Sequence, residues 1–134
     1  MKYWLKAFGS AARPLRDDWT LEANGILRSH ATFALRPGLE TGDRIVYYAA
    51  GARVVFAAGE VTSEPYLDRT HSRDWPWRID VALDATKPFI HNGVRLANLN
   101  VPSSKNDVCV RIKRRSHVQL SQEEYAAAVA ALTK

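Results

Sequence analysis

Residues 77–84, "WRIDVALD", carry the clearest pattern in the chain. Trp77, Ile79, Val81 and Leu83 alternate with Arg78, Asp80 and Asp84. That two-residue period predicts a strand with one buried face. "DVCVRIKRR" (107–115) alternates as well and predicts a second such strand, with Val108, Val110 and Ile112 on one side and Cys109, Arg111, Lys113 and Arg115 on the other. Between them, "KPFIHNGVRLANLNVPSSK" (87–105) is broken throughout by Pro, Asn, Gly and Ser and reads mostly as loop.

Upstream, "YWLKAF" (3–8) predicts a first strand and "GSAARPLRDD" (9–18) a loop. Residues 20–38 predict one or two helical turns within irregular chain, interrupted at Asn24-Gly25. Gly42-Asp43 turns into a strand over Ile45–Ala50, and Gly51-Ala52 turns back into "RVVFAAGEV" (53–61), which predicts an antiparallel hairpin. Residues 62–76 are a long polar loop, a length that in compact domains is often functional. The C-terminus predicts a helix. Ser121 and Glu124 have capping-box spacing, Leu120 and Tyr125 have staple spacing, and Tyr125, Val129 and Leu132 form an apolar stripe. Short strands dominating the middle, followed by a terminal helix, predict an α+β fold around a curled, barrel-like sheet of mostly antiparallel strands. The 134 residues fit a single domain, 1–134.

Composition narrows the function. The sequence contains no apolar run long enough to span a membrane, and "MKYWLKAF" lacks the features of a signal peptide. One cysteine, Cys109, forms no internal disulfide, so a reducing, cytoplasmic setting is expected. A net charge of +5 favours an anionic partner, nucleic acid first.

The candidate chemistry is sparse. His30, His71, His91 and His117 have no metal-ligand spacing, so no metal and no cofactor is expected. No nucleophile elbow, Walker loop or dinucleotide fingerprint occurs. Cys109 would share a strand face with Arg111 and Lys113, which would favour its thiolate; a plain structural cysteine is the simpler reading. Arg111, Lys113 and Arg115, with Arg114 beside them, form a stripe that either tracks phosphates or is a solvated face, and Arg13 and Arg16, near the end of the first strand, add to the basic surface. Among the four tryptophans, Trp77 falls on the core side of its strand. Trp75 stands outside the alternation, on a loop stiffened by Pro76, and is placed to be a stacking wall. Trp19 is a second candidate wall.

Several of these pieces, in order, resemble an EVE domain of the PUA-like group, beside the YTH and ASCH domains: "YWL", "GDRIVYY", "FAAGEV", "PWRIDVAL" and "SQEEY". The resemblance implies a small β-barrel with helices around it and a pocket for one modified base flipped out of DNA or RNA. By likeness to YTH domains, Trp75 supplies an indole of the cage and Lys6 lies near it. Asn24 and Tyr48, next to pocket-forming segments, join Lys6 as candidates for reading the base edge, with Trp77 as anchor or floor. Ala49 and Ala50 depart from the polar residue often found after the two aromatics of the second strand. An ASCH-like hydrolase using Lys6 and Glu60, and an RNA-binding module without base specificity, are the alternatives.

Overall fold

A computed structural model describes residues 1–9, 15, 29–70, 73–87, 89–104 and 106–134. Eight strands form one sheet: β1 (Tyr3–Phe8), β2 (His30–Phe33), β3 (Arg44–Ala49), β4 (Val54–Val61), β5 (Tyr66–Leu67), β6 (Trp77–Thr86), β7 (Val94–Arg95) and β8 (His117–Leu120). Their order is β2-β6-β4-β3-β1-β8, with β5 on β6 and β7 on β4. All pairs are antiparallel except β1–β3, which is parallel.

The sheet curls. β2 and β8 end the strand order, yet the rings of Phe33 and His117 meet edge to face with centroids 4.9 Å apart. The curl creates an inside and an outside, each with its own core. Phe33, Ile45, Tyr47, Phe56, Ile79 and Val81 fill the inside. Leu5, Val46, Tyr48, Val55 and Leu120 pack outward beneath two helices, α1 (Val108–Ile112) and α2 (Gln122–Leu132). Curling needs local relief, and the β4–β6 register shifts between Ala58 and Gly59. A Cβ on Gly59 would lie 2.2 Å from the Ala82 carbonyl oxygen, so no larger residue fits this bulge.

Much of the predicted pattern holds. Trp77, Ile79, Val81 and Leu83 all face the inner core. β3 and β4 form the expected hairpin, with a bulge at Tyr47/Tyr48. Ser121 Oγ accepts from the Glu124 amide at 3.1 Å, and Glu124 Oε1 accepts from the Ser121 amide at 2.8 Å, closing the capping box.

Four segments differ. Residues 107–115 are not a strand. Val108 and Ile112 are buried four residues apart on α1, while Val110 is 67% exposed. The Asp107 side chain accepts from the Cys109 amide at 2.8 Å, and Asn100 holds both Asp107 and the Val108 amide, so capping fixes the helix. Residues 30–33 form a strand where helical or irregular chain was expected, because they pair with Trp77–Asp80. The loop at 62–76 contains β5, and the loop at 87–105 contains β7 and two 3-10 turns, Ile90–Asn92 and Leu96–Leu99. Among the described residues no helix is long and apolar enough to cross a membrane.

Candidate nucleic-acid interface

Strand parity decides what enters the barrel. On β1, Leu5 faces the outer core, while Trp4, Lys6 and Phe8 point inward. Lys6 is only 3% exposed. Its ammonium lies 4.8 Å from the ring centroid of Phe8, 5.1 Å from that of Phe33 and 5.2 Å from that of Trp75. Its one hydrogen bond runs to the Ala7 carbonyl at 2.8 Å, and no carboxylate pairs with it among the described residues. Burial lowers its pKa to about 8.

Trp75 is the outer wall of this box. It is 41% exposed, and the Pro76 carbonyl accepts from the Asp68 amide at 2.7 Å, tying the loop to the start of β6. Trp77 is half-buried against the inner core, with the Arg36 guanidinium 5.3 Å from its ring centroid. Trp4 is held back from the box: its Nε1 donates to buried Asp43 at 3.0 Å. His117 lies opposite Lys6 in register and packs on Phe33 and Trp4. Burial lowers its pKa, and the charge of Lys6 lowers it further. Its Nδ1 is 2.6 Å from Ser116 Oγ.

Several expected site residues lie elsewhere. Tyr48 belongs to the outer core and is 7% exposed, so it does not reach the box; its neighbour Tyr47 faces inward and packs 4.6 Å from Phe8. Burial raises the pKa of both phenols, so both remain protonated donors. Arg111 is committed internally: its Nη2 pairs with Glu124 and its Nη1 donates to the Gln119 carbonyl. The basic stripe therefore reduces to a turn, Lys113, Arg114 and Arg115, all exposed. That turn leads into Ser116, whose carbonyl accepts from the Ala7 amide at 2.8 Å, so it sits beside the Lys6 end of β1. Glu60 is exposed and opposes Arg44, on the outer face, so it is not paired with Lys6 in one cavity. Burial and the neighbouring Asp107 raise the pKa of Cys109, the reverse of an activated thiolate. Arg13, Arg16, Trp19, Asn24 and His71 lie outside the described residues. Phe8, Phe33 and His117 were not anticipated as site residues. Phe8 shares the parity of Lys6 and was readable in principle; Phe33 and His117 arrive only through the curl.

A curled, mostly antiparallel sheet with helices packed on its outer face is a PUA-like fold. More narrowly, the chain belongs to the EVE domain family, whose profile matches residues 12–131. Its backbone is similar to Rpa0253 from Rhodopseudomonas palustris (TM-score 0.61, 20% identity, covering 99% of this chain and 94% of that one). It is similar to human THYN1, whose structure is a complex with DNA containing 5-methylcytosine (TM-score 0.60, 15% identity, covering 100% and 99%). The Mmi1 YTH domain matches at TM-score 0.58 and 8% identity, covering 98% and 75%. No curated protein sequence matches the chain.

Proposed function

We propose that this domain is a non-catalytic binder of nucleic acid that holds one modified base, turned out of its strand, against Trp75 at the barrel mouth. The observation that carries the reading is a half-exposed indole forming one wall of a box whose other rings, Phe8 and Phe33, belong to the barrel interior. Stacking of a base on an aromatic side chain contributes roughly 1–3 kcal/mol. Turning a base out costs a few kcal/mol, least where it is already unpaired. The balance therefore favours single strands or mismatches. The exposed turn Lys113–Arg115, joined through Ser116 to Ala7 of β1, supplies counter-charge for the backbone. The likeness to THYN1, which is described with 5-methylcytosine DNA, supports a nucleic-acid partner.

The test is binding of short DNA and RNA strands, with and without one modified cytosine, at fixed salt. Trp75→Ala should weaken binding of the modified strand about tenfold or more while leaving the thermal transition in place. Equal affinity of modified and unmodified strands, with no effect of Trp75→Ala, would leave only a non-specific binding module.

A further inference from the structure

Three aromatic rings around a cation are how proteins hold cationic ligands, because each ring presents its negative face. Here the protein's own Lys6 occupies that position, with Phe8, Phe33 and Trp75 around it. The box is therefore unsuited to a second cation. An ammonium has three donors, and the Ala7 carbonyl takes one. The remainder face the three rings and, among the described residues, no carboxylate, so the charge is held by ring faces without a counter-ion. The nearby basic groups add to the imbalance. His117 abuts the box from β8, and the exposed turn Lys113–Arg115 leads into that strand. No acidic side chain among the described residues answers them at Lys6.

We propose that Lys6 selects bases carrying an anionic oxygen substituent, a carboxylate on the ring being the best match, and that the domain rejects cationic methylated bases. The inference rests on the base-holding reading above and assigns the chemistry of the modification. A carboxylate entering beneath Trp75 would accept a charge-assisted hydrogen bond from the Lys6 ammonium, the strongest kind available to that donor. A neutral methyl group would leave the ammonium as unpaired as it is now. A positively charged base would meet it at close range.

The experiment compares four single strands that differ at one position: cytosine, 5-methylcytosine, cytosine carboxylated at the same ring carbon, and an N-methylated cationic guanine. Fluorescence anisotropy at fixed salt is read for the wild-type chain and for Lys6→Met, Lys6→Gln and Trp75→Ala. The expected order for the wild type is carboxylated tightest, by about tenfold over methylated, and cationic weakest. Both Lys6 variants should lose the carboxylate preference; if Lys6→Met fails to fold, Lys6→Gln and the wild-type order still decide. Equal wild-type affinity for the carboxylated and methylated strands overturns the inference. So does a preference that survives in the Lys6 variants. A uniform loss across all four strands overturns it too, because Lys6 would then be contacting backbone phosphate. The base-holding reading fails separately, if Trp75→Ala leaves every affinity unchanged.

Discussion

Two buried charges lie on opposite faces of the same sheet, and they are treated very differently. Glu124, on the outer face, is 1% exposed. Its carboxylate accepts from the Ser121 amide at 2.8 Å and from Ser104 Oγ at 2.8 Å, and pairs with Arg111. Burial pushes its pKa up, but those bonds outweigh burial and hold it below the usual carboxylate range. Lys6, on the inner face, is 3% exposed and has one carbonyl partner. Burial lowers its pKa to about 8, and no carboxylate among the described residues offsets it. Glu124 is a structural charge: it locks the cap of α2 to Ser104 and to Arg111 in the last turn of α1. Lys6 is a charge kept at a cost to stability, and no structural bond explains it as Glu124 is explained; the proposed base-holding site would give it a use.

The contrast predicts effects of opposite sign. Glu124→Gln should destabilise by about 3 kcal/mol, because it breaks a buried ion pair and leaves Arg111 without its anion. Lys6→Met should stabilise at neutral pH by roughly 1–3 kcal/mol, because a desolvated charge is replaced by an apolar chain of similar length. Urea unfolding of the two variants measures both. A destabilised Lys6→Met would show that the three rings and the Ala7 carbonyl fully compensate the ammonium, and the comparison would collapse.

Titration sharpens the same contrast. Glu124 has a lowered folded pKa, so its contribution is full above the ordinary value of 4.5 and is lost as pH falls through the folded value. Lys6 is a base with a lowered pKa, so between about 8 and 10.5 the unfolded chain binds the extra proton and stability rises with pH. Below about 8 both states are protonated and the penalty is constant. The stability gap between Lys6→Met and wild type should therefore be widest near neutrality and narrow as pH passes through about 8 towards 10.5. Unfolding curves of both proteins across that range check it. A gap that does not change with pH would mean that the amine is not desolvated.

The two charges also differ in how far the sequence announces them. Ser121 and Glu124 are three residues apart and their bond is local, so the capping box is legible by spacing alone. The strand 77–86 is legible because its polar residues mark the outer face. Elsewhere local marks fail. Val108, Val110 and Ile112 satisfy a two-residue period, and Val108 and Ile112 satisfy a four-residue one; the decision falls to Asn100 and Asp107, in a segment that reads as loop. β3 is buried on both faces from Ile45 to Ala49, so nothing polar distinguishes Tyr47, which faces the box, from Tyr48, which does not. β2 and β8 are four-residue edge strands, and Phe33 and His117 meet only because the sheet curls. Likeness to a family puts Lys6 near the site. That it fills the aromatic box as an unpaired cation follows only from the assembled barrel.

The smallest expected effect is also the most local probe of that cation. His117 packs against Phe33 and Trp4 and opposes Lys6 in register. Burial is the first cause of its lowered pKa and the charge of Lys6 the second. Lys6→Met removes the second cause and leaves the first. The imidazole should therefore titrate higher in the variant than in the wild type, yet still below the ordinary 6.5. Proton NMR of the ring C–H resonances follows this residue directly. A ligand anion bound to Lys6 should move the wild-type His117 in the same direction, because it neutralises the same charge without removing the amine. If neither the variant nor the carboxylated strand shifts His117, the Lys6 ammonium is not electrostatically coupled to the box wall, and the division between a satisfied outer charge and an open inner one loses its electrostatic half.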